Sequence, residues 1–232
     1  MLALVIVLLG AQSAQAEEGE LWSEPMRGSW VAQDGNGLAL WNADIVVDKQ
    51  AYPCVKQAAK FLAQDLETIT GKRPRIISKV GKNPFIRLAT VDTSETPAEF
   101  NALSGKWEAY RIKTTDEGIW LVGSNSRGTA FAVYTLAECL GVDPLYIWTG
   151  YTPEKHEKLV VKPVDFEADE PTFKFRGMFH DDEDTLIETM SGELHKDGYA
   201  ERMVPHFMPT VWYERYFETA LRLRMNQVAP FV

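Results

Sequence analysis

Basic charge is what this sequence is short of. Its 24 lysines and arginines face 33 aspartates and glutamates, a formal net charge of −9 with a pI near 5.0. A nucleic-acid binder needs a basic face to neutralise phosphates, so the balance argues against that class. Cysteine is scarce as well. Cys54 and Cys139 are the two in the chain; neither forms a CxxC pair or has metal-ligand spacing, and each falls among apolar neighbours in a predicted helix. Export would permit a disulfide, but we read them as two core thiols and expect no redox catalysis. Long apolar runs are missing too. Leu2 to Leu9 is too short to span a bilayer, and no later segment is long and apolar enough to do so. That run leads to Ala14-Gln15-Ala16 and then Glu17-Glu18, the pattern of a cleaved secretory signal, although no lysine or arginine precedes it. We expect a signal peptide over residues 1–16, rather than a buried strand, and a secreted protein.

What is present suffices for a core. Hydrophobic residues make up 45% and aromatic residues 11% of 232 positions, the length of one or two domains. After an irregular lead-in over residues 17–34, Leu38 to Val47 reads as extended. Tyr52 to Thr70 has helical spacing, with Val55, Ala58, Ala59, Leu62, Leu66 and Ile69 on one face. Pro53 suits its first turn and Gly71 its C-terminal cap. Arg75 to Ser78 and Phe85 to Val91 read as strands. Tyr110 to Thr114 and Ile119 to Val122 flank a turn at Thr115 to Gly118 and form a hairpin. A second helix is predicted from about Ser126 to Leu140. Residues 142–171 are a proline-rich, aromatic connector with one strand, Leu159 to Val161. The result is an α+β module over residues 35–165. A second unit follows from residue 172: a strand at Phe173 to Phe179, a long loop over about 185–210, a helix at Tyr213 to Met225 and an apolar run from Gln227. In that helix Tyr216, Phe217, Ala220, Leu221 and Leu223 are expected in the core, and Arg215, Arg222 and Arg224 mostly outside.

Three stretches are candidates for chemistry. Gly123 to Thr129 (GSNSRGT) has the glycine spacing of a phosphate loop, but Thr129 stands where the phosphate-neutralising lysine is required. A capped turn fits it better, with Ser124, Asn125 or Ser126 as cap and Gly128 allowing close packing. Phe175 to Asp184 (FRGMFHDDED) runs from an apolar strand into four acids. If the strand belongs to a barrel, Asp181, Asp182, Glu183 and Asp184 lie at its carboxyl end, where barrel enzymes build active sites; the plainer alternative is a solvated loop or a cap. Tyr146, Trp148 and Tyr151 could stack on a sugar, or simply pack. His180, His195 and His206 show neither HExxH nor HxH spacing, so each reads as structural and no zinc is expected. We expect neither metal nor cofactor.

Taken in order, these stretches resemble glycoside hydrolase family 115, the xylan α-1,2-glucuronidases and their relatives. The turn at Gly123 to Thr129, with its helix and Glu138 to Val142, is similar to that family's GSxxRGT element. Asp143 to Trp148 (DPLYIW) is similar to its aromatic segment, and Phe175 to Asp184 to its YRGxFxNDE element. Trp212 to Asn226 is similar to its YERIFELLLRLKAN helix. The resemblance implies an α+β domain like those before the barrels of bacterial hexosaminidases and α-glucuronidases, and then the first βα unit of a (β/α)8 barrel over residues 172–232. It implies an inverting hydrolase that removes glucuronic acid or its 4-O-methyl ether from xylan or related side chains. Asp182 matches the Asp of the NDE and Glu183 its Glu, while Asp181 replaces an Asn, setting an anion beside the place of a uronate carboxylate. With Trp148 these are the expected substrate-binding residues. The resemblance also implies that the general acid lies on a later strand, beyond Val232, and a barrel needs ~250 residues. The expectation is therefore the N-terminal part of a longer enzyme, inactive alone, whose partner is a polysaccharide and neither nucleic acid nor membrane. Two alternatives stay open: a non-catalytic carbohydrate-binding module using Trp148 and Tyr151, and a metal-dependent hydrolase centred on the acidic block.

Overall fold

The structure, a computed structural model, describes residues 27–93, 96–180 and 210–230. The expected signal segment, the acidic block Asp181 to Asp184, and His195 and His206 in the long loop lie outside these residues. The chain runs β1 (Leu38–Ala39), β2 (Asp44–Val47), α1 (Pro53–Thr70), β3 (Ile76–Ile77), β4 (Phe85–Thr90), a 3-10 helix (Ala98–Leu103), β5 (Tyr110–Thr114), β6 (Gly118–Gly123) and α2 (Ser126–Cys139). Then follow α3 (Tyr146–Thr149), β7 (Val160–Val161), β8 (Asp165–Ala168), β9 (Gly177–His180), α4 (Thr210–Arg222) and β10 (Gln227–Pro230).

The expected α+β module is there, built on six strands in the order β3-β2-β4-β6-β5-β8. β2 pairs in parallel with β3 and β4, and β4 with β6; β5 pairs antiparallel with β6 and β8. Alternation along the strands sorts side chains to two faces. Ile86, Leu88, Ile119 and Leu121 join α1 and α2 in the main core, while Ala89 and Val122 point the other way, onto Phe100 and Leu103 of the 3-10 helix. β1 and β7 pair antiparallel, and Val31, Leu40, Leu159 and Val161 close the helix side.

Local chemistry sets the helix limits. Pro53 opens α1 because it has no N–H to leave unpaired. Gly71 ends it with φ 75°, its N–H donating to the Glu67 carbonyl at 2.8 Å. Of the three candidate caps for α2, Asn125 serves, its side chain accepting from Gly128 N at 2.9 Å. Gly128 has no room for a side chain: a Cβ there would lie 2.6 Å from the Ala109 carbonyl oxygen.

Several expectations need correction. β8 sat unseen in the connector because its Asp-Phe-Glu-Ala run is polar, as an edge strand can be. The strand expected from Phe173 starts only at Gly177, leaving Phe173 and Phe175 73% and 66% exposed. The last helix runs over Thr210–Arg222, shifted three residues toward the N-terminus, because Arg224 has φ 57° and cannot continue it. Phe217 and Leu223 are exposed rather than in the core. Arg222, expected outside, is 2% exposed, and Arg224 is also largely enclosed.

Both cysteines are free, Cys54 half-buried and Cys139 buried. Burial, with the Glu138 carboxylate beside it, pushes the Cys139 thiol up to about 12. Iodoacetamide at pH 8 should therefore leave Cys139 unlabelled in the folded chain and label both thiols in urea. Peptide mapping checks this; alkylated Cys139 in the native sample would mean that α2 is not packed as described.

Candidate functional site

β9 and β10 pair in parallel, from Gly177 against Gln227 to His180 against Pro230, with α4 in the connection between them. Their carboxyl ends therefore lie side by side. In the sequence Asp181 follows His180 directly. In parallel sheets with helical crossovers, ligands bind at the carboxyl ends, where the connecting loops open. Asp181, Asp182 and Glu183 themselves lie just past the described residues.

The amino ends of the same strands are gripped by the α+β module. Glu108 precedes β5, and its side chain is fully buried. Its Oε2 accepts from Arg176 Nη2 at 2.7 Å and from Asn226 Nδ2 at 2.9 Å. Its Oε1 accepts from Asn226 Nδ2 at 3.0 Å and from Arg127 Nε. Asn226 Oδ1 in turn accepts from the Arg176 backbone N–H at 2.9 Å. The arginine of the GSNSRGT turn, the arginine of FRGMF and the asparagine after α4 thus meet on one carboxylate. Two of these belong to stretches singled out for chemistry, and both hold parts of the fold together.

A second contact joins α4 to α1. Arg222 Nη1 and Nη2 donate to the two Asp65 oxygens at 3.0 and 2.9 Å, and its Nε donates to Glu218 Oε1 at 2.9 Å. The guanidinium lies over the rings of Tyr146, Tyr134 and Phe61, 5.0 to 5.8 Å from their centroids. Burial opposes its charge, but Asp65 and Glu218 outweigh that, so its pKa is held above the ordinary arginine range. Tyr146 donates its hydroxyl to Glu218 Oε1 at 3.0 Å, and burial together with that carboxylate pushes the phenol up to about 12. A third contact comes from Arg224, whose Nη2 reaches Thr135 Oγ1 at 2.9 Å and Glu138 Oε2 at 2.6 Å.

Trp148 is half-buried in the same seam. Its indole N–H donates to Thr219 Oγ1 at 2.8 Å, and its ring meets Trp212 edge-on at 6.3 Å. Tyr151 stays 39% exposed, with the Arg27 guanidinium 4.5 Å over its ring. A groove of about 900 Å³ runs between α1, α3 and α4, and one of about 640 Å³ lies beside Lys49, Lys56 and Lys60; no residue of β9 or β10 lines either. Among the described residues no cluster of three His, Cys, Asp or Glu side chains could hold a metal, and no helix is long and apolar enough to cross a membrane.

Sequence reasoning missed Asp65 and Glu108. Asp65 had a signal, since it stands three residues after Leu62 and four before Ile69, on the apolar stripe of α1. Glu108 had none, because its partners lie 19, 68 and 118 residues away.

Two family models match the sequence. Residues 25–156 match glycosyl hydrolase family 20, domain 2, and residues 168–232 match glycosyl hydrolase family 115. No curated protein matches it significantly. Among solved structures the chain is similar to a family GH115 4-O-methyl-α-glucuronidase with specificity for decorated arabinogalactans. They share 27% identity with a TM-score of 0.71, over 82% of this chain and 25% of that one. It is also similar in fold to a mutant β-hexosaminidase of Streptomyces plicatus (18% identity, TM-score 0.52, 89% of this chain and 33% of that one). The chitobiase of Flavobacterium johnsoniae shares the fold as well (16%, 0.52, 89% and 26%). The chain thus spans a quarter to a third of the length of these solved proteins.

Proposed function

Because this chain belongs through residues 25–156 to the glycosyl hydrolase family 20, domain 2 family, and resembles the N-terminal portion of family 115 enzymes, we propose that it is the first part of a secreted glycoside hydrolase. That enzyme would release glucuronic acid, or its 4-O-methyl ether, from side chains of a plant polysaccharide such as xylan or arabinogalactan. The observation that carries the reading is the likeness to the 4-O-methyl-α-glucuronidase at TM-score 0.71, which extends across 82% of the chain. The parallel β9–β10 pair with its intervening helix supports a barrel opening at residue 172, to be closed by strands outside this sequence.

In this proposal residues 1–16 are the signal, 17–34 the lead-in and 35–165 the α+β domain. Asp181, Asp182 and Glu183 form one wall of the sugar pocket at the carboxyl end of β9. Asp182 accepts from a sugar hydroxyl or orients the attacking water. An inverting reaction requires a separate general acid ~6.5–9.5 Å from the base, leaving room for that water; it would come from a later strand. Trp148, also expected to bind substrate, packs against α4 through Thr219 and Trp212. The binding-module alternative gains less support, since Trp148 already commits its indole N–H and one ring edge to that helix.

The test is expression of the coding sequence continued past Val232, assayed on glucuronoxylan and on glucuronic-acid-decorated arabinogalactan. Release of free uronic acid is expected, and Asp182→Asn should lower kcat by roughly 100-fold or more. Undiminished turnover in Asp182→Asn would return the acidic block to a solvated loop. No release from either substrate would end the hydrolase reading.

A further inference from the structure

We infer that Glu108 is a positioning residue: its carboxylate fixes the amino ends of β9 and β10 against the α+β module, and so sets the register at which the two strands start. A carboxylate offers about four acceptor sites. Here Oε1 takes a bond from Arg127 and Oε2 one from Arg176, while the Asn226 amide, which also donates to the Lys174 carbonyl, shares its other hydrogen between the two oxygens. Three donor groups thus hold the carboxylate in one orientation. Arg176 is the residue before β9 and Asn226 the residue before β10, so both strands start from this one point.

The backbone supports the same inference. Among the described residues two other than glycine have positive φ, Glu108 at 56° and Arg224 at 57°. Both stand at this seam, and each sends its side chain into the other unit: Glu108 to Arg176 and Asn226, Arg224 to Thr135 and Glu138. Glycine would adopt that backbone without strain, but glycine has no side chain to lend. Strain held at a pair of reciprocal contacts points to a role for those side chains. From Arg176 to His180 is four residues, about 13 Å of paired strand. A slip of one residue at the amino end would turn the side chains of β9 to the opposite face.

This positioning role does not depend on the substrate, so its test reads hydrogen exchange rather than activity. In the 232-residue chain, mass spectrometry compares peptides over residues 177–180 and 227–230 with peptides over 85–90 and 118–123. Glu108→Gln should speed exchange in β9 and β10 at least tenfold and leave β4 and β6 within about twofold. Arg176→Gln, which cuts the same link from the other side, should give the same regional pattern, and the double variant should add little. Uniform acceleration in all four peptides would make Glu108 an ordinary stabilising residue and overturn the inference. So would unchanged exchange in β9 and β10. If Glu108→Gln does not fold, Asn226→Asp, which sets a like charge against Glu108, is read by the same criteria.

Discussion

Arg222→Ala should cost the folded chain about 3–5 kcal/mol, because it removes one partner of a buried ion pair and leaves the other charged. The side chains of Arg222, Asp65 and Glu218 are 2%, 7% and 12% exposed, so water cannot replace the lost guanidinium. Two carboxylates would then face each other among aromatic rings. Arg222→Lys should recover little, since an ammonium cannot make the two parallel bonds to Asp65 or lie flat over Tyr146. Removing all three charges, Asp65→Leu and Arg222→Met with Glu218→Gln, which can still accept from the Tyr146 hydroxyl, should return stability to near the starting value, because the desolvation cost goes with the charges. Urea denaturation with an unchanged slope measures each value. A loss below about 1 kcal/mol in Arg222→Ala would show that the pair does not form in solution, where exposed ion pairs contribute that little.

Gly177→Ala should be the next most damaging change. A Cβ at this position would fall inside contact distance of the Gln227 carbonyl oxygen and 3.1 Å from the Gln227 Cβ. Backbone cannot move aside as a side-chain end can. The strands must either part or shift register, at about 1–3 kcal/mol for an overpacked site. For a protein of this size that corresponds to a fall of roughly 2–4 °C in Tm per kcal/mol, read by calorimetry. An unchanged Tm would mean that β9 and β10 do not pair at Gly177. The glycine of the FRGMF stretch therefore serves strand pairing rather than catalysis.

Much of the α+β module was legible because its signals are local. The apolar stripe of α1 between Pro53 and Gly71, the β5–β6 hairpin and the cap at Asn125 all follow from residues within a few positions of one another. The second unit was harder. Helical periodicity assigned Arg222 to solvent, and within α4 that assignment is reasonable. What buries Arg222 is Asp65, 157 residues earlier, and no window along the sequence contains both. Phe173 and Phe175 imitate the start of a strand, yet the chain there is committed to carrying Arg176 to Glu108. Of the candidate site, the sequence marked Asp181, Asp182 and Glu183, and the strand that leads to them could be placed. The residues that aim that strand could not be read, because they are charged, ordinary in composition and distant.

The wiring of Glu108 has a consequence in time. Its last partner, Asn226, follows it by 118 residues. At the usual 5–20 residues per second of synthesis, that is a wait of roughly 6–24 s. The module is complete only once β8 has been made, so for the last 58 residues of that wait, roughly 3–12 s, it can fold with Glu108 bonded to Arg127 and its other acceptor positions hydrated. The rest of the water leaves when Arg176 and then Asn226 arrive. The module is thus a finished socket before the unit that fills it has been made, and the order of translation spares the two strands a search for their starting point.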